Sequence, residues 1–192
     1  MFNNNEEVLV IKVDEDIELK QVEQSDAPEL YSLIDQNRAY FSRWLPFVHY
    51  TVGVENHEEV VITMVNVANL MPKYVFAIKY QGEYVGLLAF RNFDEINRKA
   101  DLNFWLSKLY HKRGIMFRSV LALMDYAYYN MDVNKISIKS PIGNYASSNI
   151  PRRIGFQLEG IERAGERMAD ESYIDLEVYG MLRDEYEKIR FQ

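Results

Sequence analysis

The chain has 192 residues, 48% hydrophobic and 27% charged, with 22 Lys and Arg against 29 Asp and Glu for a formal charge of −7. At this length a folded chain hides roughly 70% of the surface its unfolded form exposes, enough for a core without staples. The absence of cysteine excludes disulfides, a thiolate nucleophile and thiolate zinc sites. The acidic balance argues against direct nucleic-acid binding and suits cationic partners, while His49, His57 and His111 are too scattered for a histidine-rich metal cluster. With no basic region followed by an apolar stretch at the start, and no apolar run near the ~20 residues a bilayer needs, a cytoplasmic protein is expected. Gly and Pro are dispersed and no period recurs, so residues 1–192 are expected to form a single domain.

From about Val8 to Val22 a period near two predicts one or two strands. Ser25-Asp26-Ala27-Pro28-Glu29 predicts a helix start, with Ser25 as the cap, Pro28 in the first turn and Leu30, Leu33 and Ile34 as the buried stripe. Val60, Val61, Met64, Val67 and Ala68 recur at helical spacing and predict a second helix over Val54 to Leu70. Tyr74 to Tyr80 and Tyr84 to Phe90, about Gln81-Gly82-Glu83, predict a hairpin. Strands are expected at Ala100 to Leu106, Lys135 to Lys139, Phe156 to Ile161 and Ile174 to Leu182. An amphipathic helix should run from Gly114 to about Asn130, and a shorter one from Ser147 to Ile154 should stop at Gly155. This order makes a mixed α/β sheet with a strand–helix–strand crossover in its middle.

The segment from Trp105 to Met116 joins a strand end to a helix N-terminus through a short basic loop. Free N–H groups and the positive end of the helix dipole point into such a junction, and a glycine such as Gly114 lets a phosphate approach the backbone closely. Lys108, Lys112, Arg113 and Arg118 concentrate positive charge there. On spacing alone the segment is equally a solvated basic turn that Gly114 closes.

His111-Lys112-Arg113-Gly114-Ile115-Met116 resembles the pyrophosphate-binding loop of the GNAT acetyltransferases, in particular the ribosomal-protein serine N-acetyltransferase-like branch. Lys112 stands where close relatives often have glycine, and Met116 where the third position is small. Asp94 to Leu106 is similar to that branch's loop and central strand, and Asn144 to Phe156 to its Asn-x-x-Ser to Gly-Phe segment, so the likeness runs from about Glu18 to Tyr186. It implies a mainly antiparallel sheet with helices on both faces and a central strand, Leu102 to Leu106, that bulges and splays from its neighbour. It implies acetyl-coenzyme A as cosubstrate with no metal, an amine acceptor (a protein N-terminus such as that of a ribosomal protein, or a polyamine), and a homodimer.

Acetyl transfer from a thioester to an amine needs donors at the carbonyl oxygen, a proton acceptor for the amine and a proton for the departing thiolate. The resemblance places the oxyanion donor among the main-chain N–H groups of Phe104, Trp105 and Leu106. It makes Ser147 the hydrogen-bond donor to sulfur, with Ser148 as its substitute, and Asn144 and Asn149 the partners of the pantetheine arm. From the residues alone, Ser147 is equally a helix cap and Asn144 a turn former. By resemblance Glu166 is the general base, yet an exposed carboxylate titrates near ~4.3, so burial or a water relay must extend its reach. It could otherwise be a solvated loop glutamate among Glu159, Glu162, Asp170 and Glu171. Trp44-Leu45-Pro46-Phe47 is expected to line the acceptor pocket or to plug the core. Two function classes stay open: an N-acetyltransferase, or a weakly active binding scaffold of the same fold, if Lys112 and Met116 narrow the anion site.

Overall fold

The computed structural model describes residues 8–51, 59, 62–63 and 70–191. Among the described residues eight strands form one sheet in the order β1-β2-β3-β4-β5-β6-β8-β7. They are β1 (Val10–Lys12), β2 (Ile17–Gln21), β3 (Leu70–Tyr80), β4 (Glu83–Asp94), β5 (Lys99–Leu106), β6 (Lys135–Pro141), β7 (Gln157–Arg167) and β8 (Tyr173–Leu182). Each neighbouring pair is antiparallel except β5–β6, which the crossover helix α4 (Ile115–Asn130) makes parallel. Helices α1 (Ala27–Gln36), α2 (Arg38–Phe41) and α3 (Phe47–Tyr50) precede the long hairpin; α5 (Tyr145–Ile154) follows β6, and α6 (Arg183–Arg190) follows β8.

Alternation along the strands sorts two apolar layers. On one face Leu88, Phe90, Leu102, Leu106, Ile136 and Ile138 pack with Val120, Leu123, Met124 and Ala127 of α4. On the other, Val75, Ala77, Leu87, Ala89 and Trp105 pack with Leu30, Leu33, Ile34, Phe41 and Phe47 of the early helices. The stripe expected on α1 is thus buried, and the amphipathic helix expected from Gly114 buries Ile115, Val120, Leu123, Met124, Ala127 and Tyr128. The Gln81-Gly82 turn closes the β3–β4 hairpin with both residues at positive φ, 52° and 87°, the twist that two-residue hairpin loops favour.

Several boundaries differ from expectation. The residue at the α1 cap position is Asp26, not Ser25, which sits in a single 3-10 turn, Gln24–Asp26. The helix expected over Val54 to Leu70 lies largely outside the described residues, and Leu70 instead begins β3, buried opposite Arg91. β7 runs on to Arg167 rather than ending at Ile161, because two register shifts against β8 absorb the Gly160 and Arg163-Ala164-Gly165 irregularities that hide its period. Helix α6 carries a single buried residue, Tyr186, whose hydroxyl donates to Asp125 at 2.7 Å.

A buried ion cluster ties the start of α1 to the sheet. The Asp26 carboxylate accepts from Lys20 Nζ at 2.7 Å, from the Tyr84 hydroxyl at 2.6 Å and from the Glu23 N–H at 2.8 Å. Burial alone would push this carboxyl up, but the Glu23 N–H, Lys20 and Tyr84 together hold it below the ordinary value of 3.8. A depressed folded-state pKa gives stability that is present above the unfolded value and lost as pH falls through the folded one. Asp26→Ala should therefore lower unfolding free energy by about 2–3 kcal/mol at neutral pH. The deficit should shrink below pH ~4, read by denaturant midpoints across the pH range.

Candidate active site

The parallel β5–β6 pairing stops early. Lys99, Ala100 and Asp101 pair with Lys135, Ile136 and Ser137, whereas β5 stays paired with β4 as far as Leu106 opposite Gly86. From Leu102 onward, then, β5 and β6 diverge as the resemblance implied. The expected bulge is absent from this stretch: β5 keeps an even register from Asp101 to Leu106, and the irregularity lies between Arg91 and Asp94 of β4. Gly86 permits this close pairing, since a Cβ there would fall 2.4 Å from the Trp105 carbonyl oxygen.

Ladder parity decides which main-chain groups face the gap. Ser107 N–H donates to the Val85 carbonyl at 2.8 Å, so Trp105 and Asn103 are likewise the residues that exchange bonds with β4. The N–H and C=O groups of Phe104 and Leu106 point the other way, toward the side that β6 has left. The Leu106 carbonyl accordingly meets His111 Nε2 at 3.1 Å. Of the three expected oxyanion donors, this geometry sets Trp105 aside: its N–H lies in the ladder, and its ring packs edge-on against Phe41.

A cavity of about 420 Å³ occupies the gap. All the candidate site residues except Arg113 line it: His111, Lys112, Gly114, Ile115 and Met116 from the loop and α4, Phe104, Trp105 and Leu106 from β5, Asn144, Ser147 and Asn149 from α5 and its cap, and Glu166 from β7. Arg113 is exposed and stacks on Tyr110, its guanidinium carbon 5.2 Å from the ring centre. Trp44, Leu45, Pro46 and Phe47 line the cavity as well, Phe47 with its ring in the second core.

The end nearest α4 has the makings of an anion site. Gly114 at φ 72° and Lys112 at φ 62° both adopt the left-handed conformation, which turns the chain sharply into the helix. Among the described residues no side chain caps the first turn of α4, so its N–H groups remain available. Lys112 is exposed and Met116 folds into the core, so neither closes the cavity. Of the other basic residues, Arg118 is paired with Asp14. Arg153 of α5, which the sequence did not single out, stacks on Phe117 at 4.6 Å and lines the same end. Asn37, also unanticipated and buried, positions the loop: its Oδ1 accepts from Ser107 Oγ at 3.1 Å and Lys108 N–H at 3.2 Å, and its Nδ2 donates to Leu33 O at 2.9 Å. Ser147 is in the first turn of α5 rather than at its cap; that place belongs to Asn144, whose Oδ1 accepts the Ser147 N–H at 3.4 Å. Ser148 is 2% exposed and does not line the cavity, which disfavours it as the substitute for Ser147.

The opposite end holds charge on the sheet face turned away from α4. Cross-strand pairing puts Arg91 with Leu87 and Ala89, Lys139 with Pro141, and Glu162 and Glu166 with Leu176 on that one face. Glu166 is therefore a half-buried strand residue, not a solvated loop glutamate. Burial pushes its carboxyl up; the nearby Arg91 and Lys139 charges work against this, and Glu162 adds to it. Lys139 is held by Glu162 at 2.7 Å. The sequence held a signal for Arg91, a charge at an inward position of an apolar strand, and an ambiguous one for Lys139.

Residues 16–157 match the family model described as Acetyltransferase (GNAT) domain. The chain belongs to that family. It is 30% identical to YdaF of Bacillus subtilis (strain 168), provisionally named a ribosomal N-acetyltransferase, over 92% of this chain and 96% of that protein. It is 26% identical to the ribosomal-protein-serine acetyltransferase of Escherichia coli (strain K12), over 91% and 97% of the two chains. Among solved structures, RimL, a ribosomal L7/L12 alpha-N-protein acetyltransferase in complex with coenzyme A, superposes with a TM-score of 0.80 at 28% identity, covering 92% of this chain and 99% of that one. The GNAT chain is accordingly an acetyl-coenzyme A-dependent N-acetyltransferase on a mixed, mostly antiparallel α/β sheet.

Gly114→Ala should weaken coenzyme A binding by about tenfold or more, since a Cβ at positive φ strains the turn by about 1–2 kcal/mol and shifts the first N–H groups of α4. Calorimetry with coenzyme A beside a thermal melt separates this loss from unfolding.

Proposed function

We propose that this enzyme acetylates the α-amine of a protein N-terminus, that of a ribosomal protein in particular, by direct attack of the neutral amine within a ternary complex. The observation that carries the reading is one cavity crossing the sheet through the β5–β6 gap, with Glu166 on one face and the uncapped start of α4 on the other. Acetyl-coenzyme A supplies the acetyl thioester. The first N–H groups of α4, with Lys112 and Arg153, hold its diphosphate, and Asn149 and the Asn144 turn border the pantetheine arm. The N–H of Phe104 or Leu106 meets the carbonyl oxygen as it gains negative charge. Ser147 donates to the sulfur as it departs, and Glu166 takes the proton from the amine, directly or through one water. Its raised pKa lies closer to that of an α-amine, ~8, than an exposed carboxylate's would. No step calls for a covalent enzyme intermediate, in keeping with a chain that has no cysteine. A polyamine acceptor is the second reading, favoured by the net charge of −7 and by Glu162 beside Glu166. Family likeness supports a single-domain cytoplasmic enzyme that works as a homodimer.

Glu166→Gln should cut kcat/KM for a peptide acceptor by about 10²-fold or more while coenzyme A affinity is unchanged. The unsubstituted enzyme should gain activity with rising pH as Glu166 and then the amine lose their protons, and the variant should keep only the limb near ~8. Thiol-release rates across pH 5–9 check both points. An unchanged rate removes Glu166 from the mechanism, and no thiol release by the unsubstituted enzyme with any amine removes the reading.

A further inference from the structure

Arg91 is a residue that the transfer chemistry leaves unused. It lies on β4 opposite Asp101, level with the last β5–β6 pair, and so at the point where the sheet opens. It lines the cavity on the face of Leu87 and Ala89, a cavity that the Trp44 to Phe47 segment also lines, and its charge is felt by Glu166. Its Nε is fully buried and has no hydrogen-bond partner among the described residues. A guanidinium that the protein leaves short of acceptors is costly, so a ligand oxygen that meets its cavity-lining end gains binding energy. Lys139, the other cation that acts on Glu166, is already held by Glu162, which leaves Arg91 for an incoming ligand.

We infer that Arg91 determines acceptor specificity, its guanidinium donating to the carbonyl oxygen next to the acceptor α-amine, so that the site takes α-aminoacyl chains in preference to polyamines. The inference rests on the reading that the Glu166 end receives the acceptor. In one aminoacyl residue the amine nitrogen and the carbonyl oxygen are three bonds apart, so a single residue reaches a carboxylate and a guanidinium together. A polyamine offers no acceptor oxygen to Arg91 and brings a second cation toward it.

The test compares three acceptors: a tripeptide amide with N-terminal serine; serinol, which keeps the amine and hydroxyl but lacks the carbonyl; and spermidine. The unsubstituted enzyme should prefer the tripeptide. Measured at a pH above the acidic limb, Arg91→Gln should lower kcat/KM for the tripeptide by about thirtyfold, mainly through KM, with serinol and spermidine changed by no more than about twofold. Coenzyme A affinity by calorimetry should be unchanged, which verifies folding. The acidic limb of the pH profile should also move up, because Glu166 keeps Glu162 nearby and loses one of the two cations, Arg91 and Lys139, that oppose its protonation. If Arg91→Gln does not fold, Arg91→Lys, which keeps the charge without the planar fork, should show a smaller loss confined to the tripeptide. Equal losses on all three acceptors, full selectivity in Arg91→Lys, or an unsubstituted enzyme that does not distinguish the tripeptide from spermidine overturns the inference alone. No transfer to any acceptor overturns the acetyltransferase reading and this one with it.

Discussion

The site depends on the point at which two parallel strands part. Three residue pairs hold β5 to β6, and beyond Asp101 and Ser137 the ladder is broken while β4 goes on supporting β5 to its end. A strand paired on one side only keeps half its main-chain hydrogen-bonding groups free, a cost inside a protein unless another molecule completes the ladder. Here that cost creates the function. The N–H groups of Phe104 and Leu106, outside the ladder among the described residues, face the cavity of about 420 Å³ in the gap, and the two sheet faces that meet there carry different chemistry.

That difference follows from strand alternation. The α4 face is apolar, and at the mouth of the gap it ends in a helix N-terminus whose N–H groups no side chain among the described residues satisfies. The other face carries Arg91, Lys139, Glu162 and Glu166, the face on which Leu87, Ala89 and Leu176 also lie. In the proposed reaction a thioester bound from the α4 side meets an amine arriving from the other, and neither reactant has to pass the other to reach its place. Asn37 and Gly86 serve this arrangement indirectly, the first by tying the loop after β5 to α1, the second by letting β4 and β5 approach where a Cβ would clash with the Trp105 carbonyl.

Much of this was legible in the sequence where a period was clean. The Tyr74 to Phe90 hairpin, the stripe of α4 and the stop at Gly155 follow from alternation, from 3.6-residue spacing and from glycine's tolerance of positive φ. The site loop was legible because it combines a strand end, basic residues and Gly114 within a few positions. β7 was cut short because Gly160 and Gly165 interrupt its alternation, and that concealed the strand on which Glu166 sits. Helix α6 went unseen since its one buried residue, Tyr186, gives no apolar stripe to read. Asn37 was missed for another reason: it holds Ser107 and Lys108, far away in the chain, and local pattern carries no record of such distances, whereas Arg91 left only the weak signal of a charge in an apolar strand.

The most direct measurement is a crystal structure of the enzyme with a bisubstrate analogue, coenzyme A joined through its sulfur and an acetyl linker to the N-terminal nitrogen of a serine peptide. The account predicts its diphosphate on the first turn of α4, its linker carbonyl between β5 and β6 facing the Phe104 or Leu106 N–H, and its peptide nitrogen within one water of Glu166. A diphosphate away from α4, or a linker that runs over the sheet edge with the gap left empty, would contradict it.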